Sequence, residues 1–484
     1  VRLLPAIVLV SASTTTGILL VSRGQAQERP KLFSDQERTA IVGYWSAPGR
    51  YTLGVTPEIL SKGPWVVRQS AEGSEWLLRY QRRLTAGKKI PPSKSAQAPD
   101  EGPTAGWESW LAARIKADRA AAQAIADASN AAMNPSVPTT PGGTVPSPPP
   151  PDVGPIPPSL LDALGNPPTF AQAVFPMGYR VTFDKPEESF SYVDHVRLGE
   201  RFAYYRFPLG VVSYGTQLKD MGVQDRARLF SAAGFSPSER KIFEAVSGLE
   251  GGFETVQTYD TGFVSVGFIQ FVTLADGKHD LSKVLQSQKK ADPKAFATDF
   301  RRFGIDVAQD NTLTVIDPST GAELSGPEAV RKIIDDKRLL AVFQRAGRIS
   351  EPFKIAQIKV ARSFYWPTDD KISVPLAEGA RAEGTIGEVV KSEAGLATLL
   401  DRKINTGNTR PLEDVLSEVM QKNNLKTLYE AALYEKEVVA KMEYRTDFLA
   451  RAELQQPPDP PKPATVAKKK RNFWQKLWGR LFGG

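Results

Sequence analysis

The chain has 484 residues, 41% hydrophobic and 24% charged, with two histidines, no cysteine and a formal net charge of +8. That length exceeds one ordinary core, and the missing thiols exclude disulfides, cysteine nucleophiles and cysteine-based zinc sites. His195 and His279 alone leave almost no room for a histidine metal centre, and no serine-hydrolase elbow or phosphate-binding P-loop motif occurs. No metal and no cofactor is therefore expected.

Residues 1–26 have the form of an export signal. Arg2 precedes apolar runs at 3–10 and 17–21, and Gly24-Gln25-Ala26 offers a small-x-small cleavage site. A short uncleaved anchor is the alternative. Either one predicts export, to the periplasm, the cell envelope or the medium.

Residues 35–133 are expected to form an N-terminal aromatic-rich module followed by an alanine-rich helix. Tyr44-Trp45, Tyr51, Trp65 and Trp76 to Tyr80 alternate with turn signals such as Pro48-Gly49 and Gly63-Pro64. Those rings serve either as a sugar-stacking platform or as the core of a small domain. The stretch from Trp107 to Ala131 has helical spacing and high intrinsic propensity. Residues 134–158 are a polyproline-type linker that cannot build a core, which predicts a domain boundary there.

A second body is expected over 160–450, α+β in class and mostly helical, with a small β-sheet. Strand-like runs open it, and helices are predicted at 237–249, 292–303, 327–335, 336–347, 351–364, 386–402, 410–421 and 424–448. Ser236-Pro237-Ser238-Glu239 is a helix start with a reciprocal capping box. Ile242, Phe243, Val246 and Leu249 then share a face, and Gly251-Gly252 is expected to end the helix. Glu250 would thus sit in the last turn, where the helix dipole and apolar neighbours favour its protonated form.

After that break, 253–258 reads as a strand, Asp260-Thr261-Gly262 as a turn and 263–271 as a second strand. Gly267 would mark a close approach of another segment. Two carboxylates on a rigid frame are what glycosidic hydrolysis needs, one as acid and one as base or cation stabiliser. Glu250 and Asp260 are the catalytic candidates, with Glu254 and Asp276 in reserve. Thr258, Ser265 and Gln270 are candidates to hold a water or a sugar hydroxyl. His279 reads as a solvated loop residue, and His195 has no identifiable serine partner for a triad.

The pattern Glu250, a gap, then Asp260-Thr-Gly262-Phe263-Val-Ser-Val-Gly267-Phe-Ile269-Gln-Phe271 resembles the active-site segment of chitosanases and related peptidoglycan hydrolases. These belong to the lysozyme-like superfamily. Glu250-Gly251-Gly252-Phe253 also resembles the opening of the lytic transglycosylase motif. The resemblance spans about 225–450 and implies a lysozyme-like catalytic body acting on β-1,4-linked amino-sugar polymers, peptidoglycan or chitosan. In it Glu250 is the general acid and Asp260 positions or activates water. A lytic transglycosylase, or an envelope-binding scaffold that lost its chemistry, are the alternatives.

Residues 453–470 are a second linker, rich in proline and lysine, before a tail at 471–484. Trp474 and Trp478 lie with Phe473, Leu477, Leu481 and Phe482 on one helical stripe, preceded by Lys469 and Arg471 among other cations. That is the form of an interfacial helix binding an anionic membrane surface. Seven positive charges lie between Lys462 and Arg480, with no acid after Asp459. The remainder is near neutral, so no nucleic-acid partner is expected.

Overall fold

The computed structural model describes residues 31–54, 65–86, 101–132, 144–145, 152–194, 210–249, 251–260 and 262–461. The expected export signal, the tail with Lys469, Arg471, Trp474 and Trp478, and His195 lie outside the described residues. Helices carry most of the described structure, and the strands form small antiparallel sheets of two to four members, so the class is α+β.

One large core runs from Phe33 to Leu454 and draws on both ends of the described chain. The helix Asp35–Ser46 is its first member, started by a capping box between Ser34 and Glu37. Its Trp45 is buried, donates its indole N–H to the Phe303 carbonyl at 3.1 Å, and meets Phe183 edge-on at 5.6 Å. Arg301 adds an ion pair to Glu37 at 2.7 Å. Trp45→Ala should therefore cost about 3–5 kcal/mol, as for other large buried aromatics. Urea denaturation of the purified chain checks this; an unchanged midpoint would detach the helix from the core.

The strand Tyr51–Gly54 pairs with Gly178–Thr182, in the register Tyr51↔Val181 and Gly54↔Gly178. The chain leaves the main sheet at one of these neighbours and re-enters at the other. What lies between them builds a smaller unit. Within it the helices Ala71–Thr85 and Trp107–Ala132 contribute Trp76, Tyr80, Trp107 and Leu111 to a core shared with Leu160 and Phe170. The strand Ala171–Val174 pairs with both Val66–Gln69 and Thr144–Val145.

Segments on the two sides of the proline-rich stretch thus share sheets and cores, and the 134–158 stretch contains a strand and abuts the helix Pro158–Leu164. The split at that stretch does not describe how the chain packs: 35–54 joins the large core, and 65–175 is an insertion with its own. Proline content marked a place where no core forms, but pairing is decided by strands far apart in sequence. Trp45, Trp65, Trp76 and Tyr80 are buried, so these rings pack the interior rather than offer a sugar platform.

Further on, the helices Pro327–Asp335, Lys337–Ile349, Glu351–Tyr365 and Leu412–Lys422 lie close to their predicted bounds. The expected 386–402 helix is instead Ile386–Val389 and Glu393–Thr406, because Ser392 caps a fresh start by accepting from the Gly395 amide at 3.0 Å. The expected 424–448 helix is likewise broken, into Leu428–Ala431, a 3-10 turn and Glu435–Met442. A helix absent from those expectations runs Asp280–Ala291, burying Leu281, Val284, Leu285 and Gln288. Two sheets are also additional, one over Ile305–Val307, Leu313–Ile316 and Glu323–Ser325, the other pairing Lys371–Pro375 with Arg381–Thr385.

Candidate active site

The helix Pro237–Ser247 begins as its sequence dictates. Ser236 accepts from the Glu239 amide, and Glu239 returns a bond to the Ser236 amide, in a reciprocal cap. Ile242, Phe243 and Val246 are buried, and Phe243 stacks on Trp366 at 5.8 Å. The helix ends at Ser247, with Gly248 as its cap, earlier than the glycine pair at 251–252. Leu249 is 41% exposed instead of continuing the apolar face.

The glycine pair serves close packing. A side chain at Gly252 would sit 1.9 Å from the Thr216 carbonyl oxygen, and Gly251 has a φ of +132° beside the Thr255 side chain. Thr255 fixes this loop by accepting from the Gly252 amide at 2.8 Å and donating to the Tyr214 carbonyl at 2.8 Å. The loop 251–255 is therefore clamped to the turn at 214–216. Glu250 and Thr261 lie outside the described residues.

A four-stranded sheet follows, with Val212–Ser213, Val256–Gln257, Ser265–Val266 and Phe271–Val272 side by side. The expected second strand over 263–271 is two strands, split by a turn at 267–270. Gly267 (φ +90°) and Gln270 (φ +57°) make that turn. Gly267 meets the expected close approach: a Cβ there would lie 2.1 Å from Gln357 Oε1. Gln357 also donates to the Phe253 carbonyl at 3.0 Å and accepts from the Phe268 amide at 3.3 Å, holding both ends of the segment.

Asp260 stands at the tip between the second and third strands. Its Oδ1 accepts from the Gly262 amide at 2.8 Å and its Oδ2 from Gln257 Nε2 at 3.0 Å. Burial raises its pKa above the usual carboxylate value, and the Gly262 amide opposes that rise. The carboxylate is thus fixed in direction and binds its proton more tightly than a solvated aspartate. A Cβ on Gly262 would meet Ser265 Oγ at 2.8 Å and Asp260 Oδ1 at 3.1 Å, so both polar atoms converge on Gly262. Ser265 Oγ is buried and has no hydrogen-bond partner among the described residues. It is the one predicted polar residue with spare bonding capacity close to Asp260.

Thr258 and Gln270 have other work. Thr258 is fully buried and accepts from the Val211 amide at 3.1 Å, a bond that ties the sheet to the preceding segment. Gln270 donates to the Gly267 carbonyl at 3.0 Å and stabilises its own turn. Of the described non-glycine residues with positive φ, Phe263, Gln270 and Leu274 fall in this one hairpin region, with Asn311, Glu378 and Asn424 elsewhere. Such backbone is held only where surrounding contacts over-determine it, and it concentrates at functional sites.

Glu254, the nearest reserve carboxylate, is committed. It is 3% exposed, accepts from the Thr216 amide at 2.8 Å and pairs with Arg348 Nε at 2.7 Å. Asp276 caps its own turn through the Lys278 amide at 3.1 Å. His279 stands at the head of the helix Asp280–Ala291, its Nδ1 3.0 Å from Asp280 Oδ1, and that carboxylate raises its pKa. Asp280 is itself held by the Val272 amide at 2.6 Å and by the Tyr365 hydroxyl.

Gln257, Gln357 and Arg348 are the contributors that local sequence did not indicate. Arg348 and Gln357 act on partners 94 and 104 residues away, a separation at which periodicity and turn signals are silent. Gln257 is three residues from Asp260 and was within reach of a turn-based argument.

Among the described residues, no cluster of three or more histidines or carboxylates is arranged to hold a metal ion, and no helix is long and apolar enough to cross a membrane. No family model, curated protein or solved structure matches the chain.

Proposed function

We propose that this chain is an exported glycoside hydrolase with a lysozyme-like catalytic body, cleaving β-1,4-linked amino-sugar polymers, peptidoglycan in preference to chitosan. Glu250 protonates the leaving glycosidic oxygen, and Asp260 activates the attacking water or stabilises the developing sugar cation. The observation that carries the reading is Asp260: a carboxylate oriented by Gln257 and the Gly262 amide, with its proton affinity raised by burial. A base of that kind is stronger, once ionised, than a solvated aspartate.

Three further features support the reading. Glu254 is neutralised by Arg348, which takes it out of the carboxylates of this segment available for chemistry. The loop between them is clamped at Thr255, Gln357 and Gly252, the rigidity that positioned acid–base catalysis requires. Ser265 Oγ offers a bonding position for water beside Asp260. The export signal and the membrane-binding tail belong to the same proposal, since both suit work on the cell wall.

The decisive variant is Glu250→Gln, assayed by release of reducing sugar from peptidoglycan and from chitosan. The wild-type chain should release sugar, and the variant should lose activity by a hundredfold or more, within the ~10²–10⁴ range of a general acid. If neither protein releases sugar while both bind the polymer, the chain is a binding scaffold and the hydrolase assignment fails.

A further inference from the structure

A small recess lies against Phe253 and Glu254 of the 251–255 loop. It has a volume of about 120 Å³ and is lined by Thr216, Met221, Phe253, Glu254, Arg348 and Lys354, together with Gly347. At ~30 Å³ per liquid water, that space takes a group of only a few heavy atoms.

Two cations, Arg348 and Lys354, reach it. Both oxygens of Glu254 are engaged, one by the Thr216 amide and the other by Arg348 Nε. Arg348 is set in place by this pair and by the Phe190 ring 4.3 Å from its guanidinium carbon. Its terminal nitrogens donate to nothing among the described residues, and its side chain is 37% exposed. Lys354 spends one bond on the Arg348 carbonyl at 2.8 Å, which holds its ammonium at the recess. Glu351, the next acid along that helix, is engaged by Arg228. Asp225 and Glu351 also act on Lys354, and Arg228 pairs with both, so what the recess offers an anion is the free terminal nitrogens of Arg348 beside the Lys354 ammonium. Met221 and Phe253 supply an apolar wall beside it.

We infer that this recess is an anion subsite, formed by Arg348 and Lys354, for a carboxylate carried on a short apolar arm of the glycan. Arginine presents planar, forked donors suited to a carboxylate, and lysine adds a mobile point charge. The lactyl ether acid of a muramic-acid residue has the matching chemistry: one carboxylate, one methyl group and few atoms. A glucosamine polymer offers an ammonium instead, which two cations repel. The inference rests on the glycan reading above for its class of ligand, and it selects the acidic polymer within that class.

The test is equilibrium binding, which needs no turnover. Full-length Glu250→Gln protein is titrated with a tetrasaccharide of alternating N-acetylglucosamine and N-acetylmuramic acid, and separately with N-acetylglucosamine tetrasaccharide. The acidic chain should bind roughly tenfold tighter, a preference that added salt weakens. Lys354→Gln should bring the two affinities to within about twofold, and Lys354→Arg should restore the preference. Thermal melts confirm that each variant is folded. Equal affinities in the parent, no binding of the acidic chain at millimolar concentration, or an undiminished preference in Lys354→Gln would each overturn the subsite. Because no bond is cut, a chain without hydrolase activity can still show the preference, and an active hydrolase can lack it.

Discussion

Gly347→Ala lowers folding stability by about 3 kcal/mol, although alanine is the better helix former by ~1 kcal/mol. Gly347 lies inside the helix Lys337–Ile349, where the expected sign of this substitution is stabilising. The added methyl would stand 2.2 Å from the Phe253 carbonyl oxygen and 2.5 Å from Glu254 Cα. Both are backbone atoms of the clamped loop, so no side-chain rotation relieves the overlap. The helix must instead move away, and the Arg348–Glu254 pair and the approach to Asp260 are disturbed with it. Activity on peptidoglycan should fall together with the denaturant midpoint. Gly248→Ala is the control: its nearest neighbour atom would be 3.5 Å away, and its stability should be unchanged or slightly higher. Equal effects of the two substitutions would refute the close-packing account.

Asp260→Asn separates activity from stability in opposite directions. Hydrolysis should drop by about a hundredfold or more, because an amide cannot take a proton from water. Stability at neutral pH should hold or rise. The folded-state pKa of Asp260 is raised above its reference value of 3.8 by burial. Its stabilising contribution is therefore fully present below that reference value and is lost as pH rises through the folded pKa. Asparagine has no such loss, keeps an oxygen for the Gly262 amide, and can pair with Gln257 after its amide turns over. Unfolding curves of the two proteins should converge as pH falls below the reference value and diverge above it. The same shift predicts that the acid limb of the activity profile lies above the ordinary carboxylate range. Full activity in the variant, with anhydro-sugar products, would assign the chain to the lytic transglycosylases, which need only the glutamate.

Some features of the site were legible along the chain because the interactions that create them are local. Ser236 and Glu239 cap one helix start between them, and their spacing alone indicates it. Gly267 announced a close approach, although not by which residue. The helix end was misplaced for the opposite reason. Gly251-Gly252 has the sequence of a terminator, but its glycines are required by contact with Thr216, from the turn at 214–216, and with Thr255. A residue type can satisfy a tertiary need and imitate a local signal at once. The additional helix Asp280–Ala291 had a readable stripe at Leu281, Val284 and Leu285, and Lys371–Pro375 alternates in burial as an edge strand does. Leu313–Ile316 is buried on both faces and carries no alternation to read.

Sequence by itself determined the α+β class, most helix positions, the acidic segment and its turn at Asp260, since these follow from spacing within a few residues. Tertiary structure alone decided that the aromatic residues before the proline-rich stretch are core, because their partners Phe183, Phe303 and Phe170 lie beyond it. It likewise decided which carboxylate is spoken for. Glu254 and Asp260 look alike in the sequence, six positions apart, but one is neutralised by an arginine 94 residues away and the other, with no cation paired to it among the described residues, is held by a glutamine and an amide. Charge pairing acts over a few ångströms of space, whatever the distance along the chain, and the fold sets which groups come that close.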